Sequence, residues 1–595
     1  MRKDESKPRK WRLRKNDANI ELMSQTLRIS PVLANVLANR GIRSKHEAIK
    51  HLNPAMKFLN AEGMADMQEG VKLVAKAIKA GARIAIYGDY DADGVSGTVI
   101  LYKALKRFNA DVFYYIPRRE EEGYGLAIAA VERLKEAETD LILCCDNGIS
   151  ALDEILLARK WDMSVVVIDH HEPVSIEKDG QREELLPLAA VIDPKRKDCP
   201  YPYKELCAGG LAYKFVERLY AEMECDFDAD SSEYLVFAMI ATFCDIVDLT
   251  GENRVIVKNG LEILNANKQR NLGLWRLIVQ RGYELKDLNE HSIGFMIGPC
   301  INASGRLSHA GLAVELFLTE DEGEADEKAA ILVQLNEERK EMTAEACESV
   351  LKSFIDNNEN YNVLVIYDPA VHESVAGIVA GRVKERMYKP TVVLSKSGDL
   401  VKGSGRSVEG YDLYAELDRC RDLLVKFGGH TMAAGLSIEE KNIDALRQRL
   451  NENCDGGFEE ILQIDFELGL EDVTYELARE LRMLAPYGKA NKEPLFGVKS
   501  VAPARLRMIP DKDTMIFTFI ARDGYRTLKG VCFGMVEAFR AHLEKYYDDS
   551  AMERICAGVL RGSNLKMDLV YAIEIDSYNE NQNVQIKIRD FRIVS

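Results

Sequence analysis

From residue 84 to residue 192 short apolar runs alternate with helix-patterned segments, and this alternation restricts the possible folds most. The pattern predicts strand 84–87, helix 95–108, strand 112–116, helix 126–137, strand 141–145, helix 151–160, strand 165–168 and strand 189–192, followed by helices. Apolar runs of this length, separated by helices, predict a parallel sheet covered on both faces. Three runs close on acids. Ile84-Ala85-Ile86-Tyr87 leads into Gly88-Asp89-Tyr90-Asp91-Ala92-Asp93-Gly94, Leu141–Cys145 into Asp146-Asn147-Gly148, and Val165–Ile168 into Asp169-His170-His171. In a parallel sheet these ends share one edge, the edge at which open α/β proteins bind ligands.

The first acidic turn also has the spacing that opens a calcium-binding EF-hand loop. That reading fails, because the twelfth loop position is Ile100 where a bidentate Glu is required, and a strand precedes where a helix should. A solvated acidic turn is the plainer alternative for this segment taken alone. Three crowded carboxylates cost free energy unless a cation compensates them. The acids and the His pair downstream, together with Asp245 in Phe243-Cys244-Asp245-Ile246-Val247-Asp248, extend the set. Carboxylates with one or two imidazoles are ligand chemistry for Mn2+ or Mg2+ rather than for zinc alone.

At 595 residues the chain is too long for one core. Five segments are expected: a basic, partly helical lead-in (1–55), the alternating α/β domain (56–265), a helical connector (266–355) containing a long helix from Ala325 to Ile355, a second α/β domain (356–455), and a β-rich barrel (456–595) with one helix near 535–546. The twelve cysteines form no C-x-x-C pair, so neither a zinc ribbon nor a disulfide framework is indicated, and a reducing cytoplasm is expected. No apolar run approaches a membrane span, and the basic, polar start predicts no secretory leader. A net charge of −17 argues against a uniformly basic nucleic-acid binder. Acids that ligate cations count in that total, however. The start is locally basic (Arg2, Lys3, Lys7, Arg9, Lys10, Arg12, Arg14, Lys15) with Trp11 among the charges, and reads as a solvated tail or a nucleic-acid contact.

Asp91-Ala92-Asp93, Asp146-Asn147-Gly148, Asp169-His170-His171 and Asp245 stand in the order seen in DHH phosphoesterases, which this chain resembles. Asn302-Ala303-Ser304-Gly305-Arg306 resembles that superfamily's N-A-x-G-R element. Lys402–Ser407, with Gly428-Gly429-His430 and Ala433-Ala434-Gly435, resembles the companion DHHA1 domain. Ile116-Pro117-Arg118-Arg119, Glu122–Gly125 and Pro486-Tyr487-Gly488 with Glu493–Phe496 are similar to the branch of single-strand-specific exonucleases. Ser374 and Ala376, Asp248 and Lys492 depart from the usual residues, at positions where only local packing is affected.

The resemblance implies a parallel-sheet DHH domain joined by a long helix to a DHHA1 domain, followed by an OB-like barrel. It implies two divalent cations, Mn2+ or Mg2+, held by Asp89, Asp91, Asp93, Asp146, His170 and Asp245, with Asp146 bridging. Asp91 and Asp146 would then be central to catalysis. His171 would contact the scissile phosphate, and Asp169 would orient an imidazole from behind the ligands. Arg119, Arg306, Ser404 and Arg406 would grip a terminal 5′ phosphate, and His430 would line the cleft. A Gly-rich loop such as 403–405 can also be no more than a tight turn; arginine suits the clamp because its guanidinium forks onto phosphate oxygens. The implied activity is 5′-to-3′ hydrolysis of single-stranded DNA to 5′-mononucleotides in recombination and repair, by a monomer, with a single-strand-binding protein and a helicase as partners. Two alternatives stand beside it: a relative that cleaves short oligoribonucleotides or cyclic dinucleotides, and an inert single-strand-binding scaffold. The β-rich end after residue 464 argues against the first, and the complete acid set against the second. The chain has no G-x-x-x-x-G-K-[ST] loop, so ATP hydrolysis is not supported.

Overall fold

Strands buried on both faces must be apolar throughout, and Ile84–Tyr87 and Leu141–Cys145 are buried at every position. In the computed structural model, which describes residues 9–59, 62–178, 181–266, 271–284, 288–356, 361–520, 526–576 and 583–594, they lie within one five-stranded parallel sheet. The strands run in space Val112–Tyr115, Ile84–Tyr87, Leu141–Cys145, Ser164–Ile168, Ala190–Ile192. The chain leaves 84–87 toward one side and returns to build on the other, so the strand order reverses between 84–87 and 141–145. A reversal of this kind opens a crevice at the carboxyl ends of the two strands.

Helices Met67–Ala80, Ala92–Arg107 and Ala208–Glu222 pack one face of the sheet and helix Asp228–Cys244 packs on the last two, with Val95, Val99, Leu211, Phe215 and Phe237 in a continuous core. Helices Ile128–Glu136 and Leu152–Lys160 cover the other with Val131, Leu134 and Ile155. Residues 50–341 and 486–492 form this unit.

The second unit comprises residues 1–49, 342–485 and 493–595. Helix Glu322–Asp356 begins in the first unit and ends in the second. One sheet of the second unit orders its strands Leu424–His430, Ala433–Ile438, Leu400–Arg406, Thr391–Ser397, Leu364–Tyr367, with helix Glu373–Met387 against it. A seven-stranded sheet lies between Phe466 and Val594. The expected α/β class with a β-rich C-terminal domain is the observed one.

Three local expectations need correction. A hairpin, Val174–Lys178 with Gln181–Leu185, interrupts what read as a direct passage from strand 165–168 to strand 189–192. Its charged residues hide the period-2 pattern that marks a half-buried strand. Helix Asp549–Cys556 follows Val536–Leu543 where one helix was expected. The lead-in is no solvated tail over its described part. Lys10–Leu13 pairs in parallel with Ile461–Ile464, Trp11 Nε1 donates to Asp590 (2.8 Å), and the Arg592 guanidinium lies 4.2 Å from the Trp11 ring centroid. Arg9, Lys10 and Arg14 pair with Glu460, Glu459 and Asp465 at 3.0, 2.9 and 3.7 Å. Arg2, Lys3 and Lys7 lie outside the described residues.

Candidate metal centre

The turn after strand 84–87 is built by its glycine and its caps. A Cβ on Gly94 would lie 2.6–2.7 Å from Asp89 side-chain and backbone atoms, so only glycine lets the helix start so close beneath the turn. Asp91 caps helix 92–107, its carboxylate accepting from the amides of Asp93 (2.9 Å) and Gly94 (3.1 Å). Asp93 accepts from the Ala208 and Gly209 amides (2.9 and 2.6 Å) at the start of helix 208–222. Asp89 is buried with Oδ1 lacking a hydrogen-bond partner.

Across the crevice Asp146 follows strand 141–145 in a left-handed conformation (φ 66°), and its buried Oδ1 receives no hydrogen bond. His170 Nε2 stands 3.2 Å from Asp146 Oδ1, 3.5 Å from Asp93 Oδ2 and 3.6 Å from Asp245 Oδ2. Asp169, fully buried, accepts from the Ile149 amide (3.0 Å) and lies 2.7 Å from His171 Nδ1. It therefore orients His171, not His170. Three sets of donor atoms converge: Asp89, Asp91 and Asp146; Asp93, His170 and Asp245; Asp146, His170 and His171. Asp146 belongs to two of them.

The electrostatics follow from crowding. Burial and then the Asp91 charge push Asp93 up to about 7; burial with Asp93 and Asp91 pushes Asp245 up to about 8. Asp89 and Asp146 are raised well above the carboxylate range by the same causes. Burial takes His170 down to about 3, which keeps its imidazole neutral and suited to ligation. Burial opposes the charge on His171, but the hydrogen bond and charge of Asp169 lift it to about 9. Buried carboxylates that repel one another, oxygens without donors and a neutral imidazole fit divalent cations, and the oxygen-rich donor set fits Mn2+ or Mg2+.

Around the centre stand Arg119 and Arg306, expected from the sequence, and Tyr124, Asn302 and Asp193, for which no role was expected. Tyr124 Oη donates to the Asp146 carbonyl (2.9 Å) and lies 3.0 Å from His171 Nδ1. Asn302 Oδ1 accepts from the Ala92 amide (2.8 Å), and a Cβ on Gly305 would lie 2.3 Å from the Tyr90 carbonyl oxygen, so the N-A-x-G-R element docks on the acidic turn. Arg119 sits 5.3 Å over the Tyr90 ring, and the Arg306 charge acts on the Tyr90 hydroxyl. Asp193 is a fourth buried strand-end acid, pushed up to about 7 by burial. Its place after the weak three-residue run Ala190–Ile192 was the available signal.

In the second unit, Arg406 Nη1 donates to Ser404 Oγ (3.2 Å) and the Gly405 carbonyl (2.8 Å), beside Gly377 of helix 373–387. His430 is exposed at the end of strand 424–430.

Three family models match: the DHH family N-terminal domain over residues 83–242, the DHHA1 domain over 360–456 and the RecJ OB domain over 464–590. The chain is 32% identical over 590 residues to the single-stranded-DNA-specific exonuclease RecJ of Bacillus subtilis strain 168, covering 98% of this chain and 70% of the relative. It is 30% identical to the RecJ of Salmonella typhimurium, covering 98% and 99%. The crystal structure of RecJ from Thermus thermophilus in complex with Mn2+ superposes with a TM-score of 0.81 at 25% identity, over 98% of this chain and 80% of that one.

Proposed function

Since the chain belongs to the RecJ family of single-stranded-DNA-specific exonucleases, we propose that the acids gathered at the reversal of its parallel sheet are the centre at which it hydrolyses DNA. The protein is a metal-dependent exonuclease of single-stranded DNA. The observation that carries the site is the convergence of buried and half-buried carboxylates and imidazoles from three strand ends and one helix end, with Asp89 Oδ1 and Asp146 Oδ1 satisfied by no hydrogen-bond donor.

In this reading Asp89, Asp91, Asp93, Asp146, His170 and Asp245 would hold two divalent cations, Mn2+ or Mg2+, and Asp146 stands in two of the converging sets of donor atoms. When bound, such ions polarise a phosphodiester and activate water for in-line attack. The chain's own groups do the rest. The hydrogen bonds to Asp91 and Asp93 fix their carboxylates, while Asp169 and Tyr124 fix the ring of His171. The hydrogen bond and charge of Asp169 favour the protonated ring of His171, which in this reading would contact the scissile phosphate.

Residues 56–265 carry the chemistry in this proposal. Residues 356–455 supply Ser404 and Arg406 for a terminal phosphate, with His430 lining the path, and residues 456–595 track the strand by stacking and charge. Within the unit that holds the acids, Arg119 and Arg306, both beside Tyr90, offer guanidiniums suited to phosphate oxygens. A 5′-phosphate clamp sets the distance to the first bond, so digestion runs 5′ to 3′ and releases 5′-mononucleotides. Contacts with a single-strand-binding protein and a helicase belong to the same reading.

Internally labelled strands blocked at either end test the direction. Blocking the 5′ end is expected to stop digestion, and Arg406→Ala to raise KM for 5′-phosphorylated strands far more than for 5′-hydroxyl strands. Digestion stopped only by a 3′ block overturns the polarity.

A further inference from the structure

The element Pro486-Tyr487-Gly488 is left without a role by the reaction just described. Residues 486–492 group with the unit formed by 50–341, although the chain on both sides of them belongs to the other unit. The segment is closed on itself. Gly488 and Asn491 exchange backbone hydrogen bonds (3.1 and 3.2 Å), and the fully buried Asn491 side chain donates to the Pro486 carbonyl (2.8 Å). It is then fastened to that unit through its backbone. The Pro486 carbonyl accepts from Arg254 Nη1 (3.2 Å), the Tyr487 amide donates to Glu290 Oε1 (2.9 Å), and the Lys489 carbonyl accepts from the Leu249 amide (2.8 Å). Lys489 Nζ lies 3.2 Å from Asp248 Oδ1, and a Cβ on Gly488 would lie 3.1 Å from the Leu249 side chain.

Residues 248–249 end the turn that begins at Asp245. Between them Ile246 has φ 58°, a left-handed conformation that a β-branched residue adopts only under strain of about 1–3 kcal/mol. Its side chain is 67% exposed, so its own packing does not hold the turn. The far end is held instead. The Asp248 carbonyl accepts from Tyr203 Oη (3.2 Å) and Asn253 Nδ2 (3.1 Å), and Leu249 is bonded to Lys489.

We propose that residues 486–492 are a positioning strap: by fixing Leu249 they keep the strained Ile246 turn closed and so hold the Asp245 carboxylate within reach of Asp93 and His170. This rests on the reading of Asp245 as a metal ligand. The strap touches neither substrate nor metal, and its effect is on the affinity of the cation that Asp93, His170 and Asp245 share.

The test is calorimetric titration of the metal-free full chain with Mn2+, without DNA, beside thermal unfolding of the same samples. Glu290→Ala removes the acceptor of the Tyr487 amide and is expected to weaken binding of one Mn2+ about tenfold. Glu290→Gln keeps that acceptor and is expected to titrate as wild type. Ile246→Asn suits the left-handed conformation, so Glu290→Ala/Ile246→Asn is expected to recover the affinity without the strap's hold. Wild-type affinity in Glu290→Ala overturns the proposal. So does a loss that neither Gln nor the second substitution restores, which marks general damage. Asp245→Ala separates the two readings. If it loses an ion while Glu290→Ala does not, the strap alone falls; if it titrates as wild type, the assignment of the centre falls and the strap with it.

Discussion

Asp93 and Asp245 show how a single carboxylate stands in this centre without a cation. Asp93 accepts two backbone amides at a helix start and is still pushed up to about 7, because burial and the Asp91 charge outweigh those bonds. Asp245, at the end of helix 228–244, has fewer bonds and is pushed up to about 8 from an ordinary 3.8. A folded-state pKa raised above the unfolded one means that the folded chain binds the proton more tightly. The associated stability is complete below about pH 4 and is lost as pH rises through the folded values toward 8. Metal-free protein is therefore expected to melt at progressively lower temperature from pH 4 to pH 8. Asp245→Asn, which cannot ionise, is expected to gain about 1–2 kcal/mol over wild type at pH 8 while losing activity. Melts in chelator across that pH range check both; a wild-type midpoint that rises over the same interval contradicts them.

The acidic turn and the helix it caps work as one element. Gly94 lies against the backbone of Asp89, and Gly305 of helix Gly298–Leu307 against the carbonyl of Tyr90, so the turn is pressed from two directions. Neither contact is with the yielding end of a long side chain. Gly94→Ala is expected to displace Asp89, costing about 1–3 kcal/mol of stability and most of the affinity for one cation. Thermal unfolding and Mn2+ titration measure these separately, and wild-type values in both exclude the packing argument. The motif D-x-D-x-D-G was legible as a ligand source because its acids are adjacent in the chain. The reason for its final glycine was not, because only the folded turn presses the backbone of Asp89, the motif's own first acid, against the start of the helix. The lead-in shows the same limit. Its charge pattern was readable, but the partners of Arg9, Lys10 and Trp11 lie between residues 459 and 590.

On the scale of the whole molecule, a net charge of −17 coexists with an enzyme of a polyanion because part of the negative charge is gathered where cations bind. Anything that binds the folded form alone stabilises it by mass action. Mn2+ at about a hundred times its dissociation constant is expected to add about 2.7 kcal/mol per ion and to move the unfolding transition of the unit that holds residues 50–341. Calorimetry with and without chelator checks this, and a transition indifferent to Mn2+ contradicts the centre. Among the described residues no helix is long and apolar enough to cross a membrane. By itself the sequence determined the parallel sheet, the acids at its strand ends and the class of ion they suit, since period, charge and spacing are carried by neighbouring residues. Only the tertiary structure decided that Asp169 serves His171, that Tyr124 reaches the Asp146 carbonyl, and that Pro486 meets an arginine 232 residues away from it. Contacts of that range leave no local periodicity, because they are chosen by the packing of elements whose own sequences are satisfied without them.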